Sequence, residues 1–151
     1  MTKILIVGGG YAGFETARRL ERKLNPGEAQ VTLVDPLPYM TYQPFLPEVA
    51  SGSIEPRHAV VSHRRHLKRT RVITAEVSKV DHASKTATIT PELGDEYTLK
   101  YDVVIMTAGA VSRTFPIPGI AENAVGLKHI EEAVWVRDTM IDNFNRASTM
   151  A

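Results

Sequence analysis

The residues of this chain best equipped for chemistry are three glycines and one carboxylate. Gly8-x-Gly10-x-x-Gly13 follows the apolar run "KILIV" and opens the stretch "YAGFETARRL". Glycines at this spacing act through backbone geometry. Gly8 permits a tight strand-to-helix turn, Gly10 admits a pyrophosphate with no Cβ in the way, and Gly13 lets the helix pack close to the strand. The helix N-terminus then supplies free N–H groups and about half a positive charge. Asp35 ends "QVTLVD" at the offset of ~20 residues where a carboxylate accepts hydrogen bonds from a ribose diol. A carboxylate there repels a 2′-phosphate, which argues against NADP. The plainer readings are a tight turn for the glycines and a strand-end turn residue, followed by Pro36, for Asp35. Three glycines in this context exceed what a turn needs. The pattern alone does not separate FAD from NAD, since both carry an adenosine pyrophosphate.

These groups must be held by elements that the sequence predicts around them. Lys3–Val7 is apolar without alternation, as a strand buried on both faces requires. From Tyr11 to Leu24, Phe14, Ala17, Leu20 and Leu24 recur at helical spacing, and "NPGE" ends the helix. Gln30–Asp35 is the second strand, so residues 3–35 form a βαβ unit with parallel strands. Pro36–Gly52 is too rich in proline near its start for regular structure and reads as an ordered loop leading to a short helical turn. "VITAEVSKVD", "KTATIT" and "EYTLKY" read as an antiparallel meander. Asp102–Thr107 is a further buried strand closing on the small-residue turn Ala108-Gly109, where backbone approaches closely. "FPIPGI" is a second proline loop, and Glu131–Asn145 is the last helix. The expected fold class is α/β: a Rossmann-like βαβ parallel sheet with strands at 3–7, 30–35, about 72–73 and 102–107, and an inserted antiparallel β meander.

Composition narrows the classes of function. The 151 residues suit one domain and carry a net charge of +1, so no overall field favours nucleic acid or an anionic membrane. There is no cysteine, which excludes disulfide, thiolate-metal and cysteine-nucleophile chemistry from this chain and fits a cytosolic protein. No apolar run reaches the ~18 residues needed to span a bilayer, and the start is too short in apolar length for a signal peptide, so the mature chain is expected to begin where the sequence does. A Tyr-x-x-x-Lys pair and a phosphate-binding Gly-Lys-Ser/Thr loop are both absent. His58, His63 and His66 have no carboxylate at ligand spacing, so no metal site is expected. Arg57, Arg64, Arg65, Lys68, Arg69 and Arg71 lack interleaved aromatics, and a solvated basic face is the better reading than a nucleic-acid site.

The order of these segments resembles the N-terminal part of the type II NADH dehydrogenases (NADH:quinone oxidoreductases), within the two-dinucleotide-domain flavoproteins. The resemblance is carried by "IVGGGYAGFETARRL", "VTLVDP", "YQPFLPEVASGSIEP", "YDVVIMTAGA" and "GLKHIEEAVWVRDTMIDNFNRA", in the family's order and over nearly the whole chain. It implies FAD at the glycine motif. Gly8, Gly10, Tyr11, Ala12 and Gly13 would hold the pyrophosphate, with Asp35 and Pro36 at the adenosine. Gln43 and Pro44 match a loop that runs beside the flavin ring, Val77 a position whose backbone meets the adenine, and Ala108 and Gly109 the small turn that passes the cofactor.

The resemblance also implies what a complete enzyme does: NADH gives hydride to the flavin, and the flavin gives two electrons to quinone. No catalytic residue is assigned. Residues 1–128 would form the FAD-binding domain, with the meander at about 72–101, and 129–151 a helix leading toward an NADH-binding domain. The second glycine motif, the segment that completes the flavin site and the part that meets quinone and membrane are not in the sequence, so the 151-residue chain is expected to be incomplete relative to the family fold and inactive alone. A complete enzyme would be cytoplasmic, at the cytoplasmic face of the inner membrane through those further parts, and a homodimer is left open as its assembly. Two other readings stay open: another pyridine nucleotide-disulfide-type FAD oxidoreductase lacking the cysteine pair, and a non-catalytic nucleotide-binding fragment.

Overall fold

The run "TKILIV" forms β1 (Thr2–Val7) in the computed structural model, which describes residues 1–150. The remaining strands are β2 (Ala29–Asp35), β3 (Tyr39–Thr41), β4 (Val60–Ser62), β5 (Arg71–Thr74), β6 (Glu76–Asp81), β7 (Thr86–Thr90), β8 (Tyr97–Lys100) and β9 (Val103–Met106). The helices are α1 (Tyr11–Lys23), α2 (Leu46–Ala50), α3 (His63–His66), α4 (Ile120–Asn123) and α5 (Ile130–Thr149). The chain divides into two units, one of Met1–Met40 with Ser62–Gly109, the other of Thr41–Val61 with the residues from Ala110 onward.

In the first unit β5, β2, β1 and β9 lie side by side in that order, all parallel. β1 is central, and the chain goes to one side of it for β2 and to the other for β9. This is the expected Rossmann-like sheet. Both faces of β1 and β2 are covered, so they read as near-continuous apolar runs, with successive side chains on opposite faces. Leu5, Val7 and Val34 form one core cluster with Ala87 and Ile89 of β7 and with Ala75 and Tyr101, which flank the meander on either side. Ile6, Val31 and Leu33 alternate with them and are equally buried, on the face of β1 and β2 where α1 packs with Phe14 and Ala17. β6, β7 and β8 form the antiparallel meander. The run 72–81, expected to supply both the parallel strand at about 72–73 and the first strand of the meander, is two strands. β5 joins the parallel sheet and β6 the meander, with buried Ala75 between them donating its N–H to the Asp35 carbonyl at 3.0 Å.

Helix α1 is tied down at its far end. Glu21 accepts hydrogen bonds from the backbone N–H groups of Lys68, Arg69 and Thr70 at 3.2, 2.8 and 2.7 Å. The Arg69 guanidinium donates to the carbonyls of Glu21 and Leu24 at 2.6 and 2.9 Å, which satisfies carbonyls that a helix C-terminus leaves open. So part of the basic run serves this helix end. Arg64 and Arg65 do face solvent.

In the second unit α5 packs on α2. Its start is fixed by a capping box between His129 and Glu132, whose carboxylate accepts the His129 N–H at 2.9 Å. Ile130 and Ala133 are buried, while Trp135 (55 % exposed) and Phe144 (71 %) are open on the same helix. The stretch 36–52, expected as an ordered loop leading to a short helical turn, does reach that turn in α2, and it also carries a strand: Tyr39–Thr41 forms β3, paired with β4. "FPIPGI" ends in α4, a single helical turn that the sequence reading did not anticipate.

Two outcomes follow for stability. Leu33 is fully buried at the centre of the sheet, so Leu33→Ala should cost about 2–5 kcal/mol in urea denaturation followed by circular dichroism. Burial opposes ionisation of Glu21, but the hydrogen bonds it accepts from the 68–70 segment outweigh this and hold its carboxyl below the ordinary glutamate range. A lowered folded pKa contributes stability at neutral pH that is lost as pH falls through it. Glu21→Gln should therefore be less stable than wild type at pH 7, with the gap narrowing below about pH 4.5; an equal gap at all pH values would contradict the assigned role.

Candidate functional site at the glycine turn

The turn from β1 to α1 lies at the carboxyl edge of the parallel sheet, beside the end of β9. This is where strand order reverses and where open α/β sheets take their ligands. Gly8 has φ +96°, a left-handed backbone that side chains rarely adopt. A Cβ there would also collide with the carbonyl of Thr107. A Cβ on Gly13 would overlap the Gly8 carbonyl oxygen, so its absence is what lets α1 approach the strand. Gly10 differs from both. Its φ is −66°, and a Cβ on it would meet nothing within 4 Å. Neither conformation nor packing within the protein demands glycine there.

The polar atoms of the turn are satisfied from its inner side. Gly8 N–H donates to the Val34 carbonyl at 2.8 Å. Gly9 N–H donates to Asp35 Oδ2 at 2.5 Å. The Thr107 hydroxyl reaches the carbonyls of Val7 and Gly8 at 2.9 and 2.8 Å. His63 Nε2 lies 2.8 Å from the Gly9 carbonyl oxygen. The N–H groups of Gly10 and Ala12 make no hydrogen bond among the described residues. They are the orphan donors of a helix N-terminus, with the dipole of the 13-residue α1 behind them.

Asp35 stands at the end of β2, half-buried. Besides Gly9, it accepts the Leu37 N–H through Oδ1 at 2.7 Å. Each oxygen thus has one protein donor and further acceptor capacity. Pro36 follows, on the rim of a cleft of about 310 Å³ lined also by Thr74, Ala75, Glu76, Thr90, Pro91 and Glu92. Val77 is not part of that lining. It lies two residues beyond Ala75 with its side chain against the core cluster. Ala108 and Gly109 follow β9, and the Thr107 carbonyl and Ala108 Cα are what a Cβ on Gly8 would strike. The first unit therefore brings together Gly8, Gly10, Tyr11, Ala12, Gly13, Asp35, Pro36, Ala108 and Gly109. Gln43 and Pro44 belong to the second unit, in a single turn of 3₁₀ helix, Gln43–Phe45. The Gln43 side-chain amide donates to the Lys128 carbonyl at 3.4 Å. Tyr42 and Phe45 flank that turn edge to face at 4.8 Å, both exposed.

Sequence reasoning missed two residues of the turn, Thr107 and His63. Thr107 had a faint signal as a hydroxyl at the end of a buried strand. His63 sits in a run of basic residues that reads as solvated.

The pattern of the pyridine nucleotide-disulphide oxidoreductases matches residues 2–145. The chain belongs to that family. Among curated members, the external alternative NAD(P)H-ubiquinone oxidoreductase B2, mitochondrial, of Arabidopsis thaliana is 35% identical over 156 residues, covering 97% of this chain and 26% of the relative. The type II NADH:quinone oxidoreductase of Staphylococcus haemolyticus is 30% identical over 133 residues, covering 87% of this chain and 32% of the relative. Among solved structures, NDH2 from Plasmodium falciparum matches with a TM-score of 0.89 at 26% identity, over 97% of this chain and 30% of that one; another structure of it is in complex with NADH. The chain thus spans a quarter to a third of these relatives. Among the described residues, no three His, Cys, Asp or Glu form a group able to hold a metal, and no helix is long and apolar enough to cross a membrane.

Membership in the pyridine nucleotide-disulphide oxidoreductase family and the crowding around each glycine give separable expectations. Gly13→Ala should lower stability by several kcal/mol, since backbone must move. Gly10→Ala should change it by less than about 1 kcal/mol. Equal effects in thermal denaturation of the free protein would contradict the different roles of the two glycines.

Proposed function

We propose that this chain is the FAD-holding part of a flavin-dependent NADH:quinone oxidoreductase. The observation that carries the reading is Gly10, a glycine that nothing in the protein requires, beside N–H donors that nothing in the protein uses. A diphosphate at this helix N-terminus accounts for both. The backbone of Gly10, Tyr11 and Ala12 would hold the pyrophosphate, with Gly8 and Gly13 making the turn tight enough to present it. Asp35, already bonded to Gly9 and Leu37, would use its remaining lone pairs for the ribose hydroxyls. The cleft beyond Pro36 would take the adenine, with backbone near Val77 on its far side and Ala108 and Gly109 passing the cofactor. Gln43 and Pro44 would lie at the flavin ring.

The names of the relatives support NADH as donor and quinone as acceptor. FAD, when bound, supplies the hydride-accepting and electron-passing chemistry, while the protein supplies binding, orientation and electrostatics. The chain carries one Gly-x-Gly-x-x-Gly motif, whereas passing hydride from NADH to FAD takes two dinucleotide sites. The 151 residues should therefore bind FAD without oxidising NADH at an enzymatic rate. The complete protein would work at a membrane face, through parts beyond these residues, with a homodimer as one assembly to test.

Titration of the purified chain with FAD should quench flavin fluorescence saturably. Gly10→Val should weaken binding at least tenfold with stability nearly unchanged, because its side chain would occupy phosphate space; undiminished affinity would remove the pyrophosphate assignment. The carboxylates of Asp35, Glu76 and Glu92 around the adenosine end should make ADP a better competitor than its 2′-phosphorylated form by about tenfold or more. Equal competition would count against the ribose contact.

A further inference from the structure

His63 is a fully buried imidazole in a part of the chain that otherwise carries exposed arginines. It opens α3, 54 residues from Gly9 in sequence, and its Nε2 meets the Gly9 carbonyl oxygen at 2.8 Å. A carbonyl oxygen only accepts, so Nε2 carries the proton. Nδ1 is buried with no hydrogen-bond partner among the described residues. It is the bare nitrogen of the ring, since a second buried N–H would have no acceptor. Phe14 of α1 stacks on the imidazole with centroids 5.9 Å apart, and its edge meets His66 at 6.2 Å. The ring is locked from the helix it helps to place.

The consequence lies in the next peptide. No cis peptide bond occurs among the described residues, and across a trans peptide the carbonyl of one residue and the N–H of the next point in opposite directions. Holding the Gly9 carbonyl down onto His63 therefore turns the Gly10 N–H away from His63, and a Cβ on Gly10 would meet nothing within 4 Å. His63 and Gly9 are also matched in size. A Cβ on Gly9 would come within 2.5 Å of His63 Cε1 and 2.7 Å of Nε2. The middle glycine of "GGG", which the dinucleotide pattern leaves unspecified, is glycine here because an imidazole lies beneath it.

We propose that His63 is a positioning residue for dinucleotide binding: it fixes the Gly9–Gly10 peptide so that the Gly10 N–H is presented to a diphosphate. This rests on the dinucleotide reading of the turn. His63 touches no ligand and acts through the backbone. One hydrogen bond that sets the aim of a phosphate donor should affect affinity about tenfold.

The test compares FAD and ADP affinity, and stability without ligand, for the wild-type chain, His63→Leu and His63→Gln. Leucine fills the space without a donor, whereas the glutamine amide can still reach the Gly9 carbonyl. The expected result is a loss of about tenfold for His63→Leu, larger than any loss of folding explains, with most of it recovered in His63→Gln. If the wild-type chain binds neither FAD nor ADP, the dinucleotide reading fails and this inference with it. If the wild type binds and His63→Leu binds equally well, the inference alone fails. It fails too if both variants lose affinity in proportion to their stability. Should a variant not fold, nitrogen-15 NMR of the wild-type imidazole decides: a slowly exchanging proton on Nε2 supports the contact, and a proton on Nδ1 alone overturns it.

Discussion

Much of the first unit depends on a turn whose backbone is satisfied from one side only. Four polar atoms of Gly8 and Gly9 are engaged from below, by the Val34 carbonyl, Asp35, Thr107 and His63. These partners come from β2, the end of β9 and α3, so the turn's hydrogen bonds join parts of the chain that are distant in sequence. Buried backbone groups left unpaired cost about 1–3 kcal/mol each. That cost fixes the peptide planes of the turn. Once they are fixed, the Gly10 N–H points away from His63. The same arrangement that makes the turn stable leaves the N–H groups of Gly10 and Ala12 without a partner among the described residues, which is what the proposed diphosphate contact would use.

The sheet explains why these partners can converge. Parallel strands in the order β5-β2-β1-β9 bring their carboxyl ends to one edge. Asp35 ends β2 and Thr107 follows β9, so both arrive beside the turn after β1 without any special loop. The meander adds Ala87 and Ile89, and Tyr101 just after it, to the core under the sheet. It also provides one wall of the cleft beyond Pro36, through Glu76, Thr90, Pro91 and Glu92. Asp35 holds Gly9 and Leu37 at once, so it is a structural clamp as well as the proposed partner of a ribose. Its substitution would therefore be harder to interpret than that of Gly10.

The parts of this arrangement legible in the sequence are those set by local rules. Gly8, Gly10, Gly13 and Asp35 stand at offsets fixed by one βαβ unit, and β1, α1, β2 and β9 follow from apolar pattern and breakers. The parts that were not legible depend on tertiary choices. A parallel strand at about 72–73 and a meander are both expected, but the break between β5 and β6 at Ala75 is set where the chain leaves one sheet for the other, and the residue pattern runs on without marking it. β3 hides among prolines because a three-residue strand needs only a partner, β4, to exist. His63 is hidden by its neighbours. In a helix of four residues, with arginines on either side, no periodicity tells which side chain turns inward. Only the bare carbonyl of Gly9 and the missing Cβ above it reveal why it does.

The central claim is that the Gly10 N–H is aimed at a diphosphate. Its most direct test is a titration of the nitrogen-15-labelled chain with FAD, followed through the backbone amide resonances. The account predicts that the amides of Gly10 and Ala12 shift most and become protected from exchange, while Gly8 and Gly9, already bonded within the protein, move little. Saturable FAD binding with Gly10 and Ala12 unperturbed would contradict it.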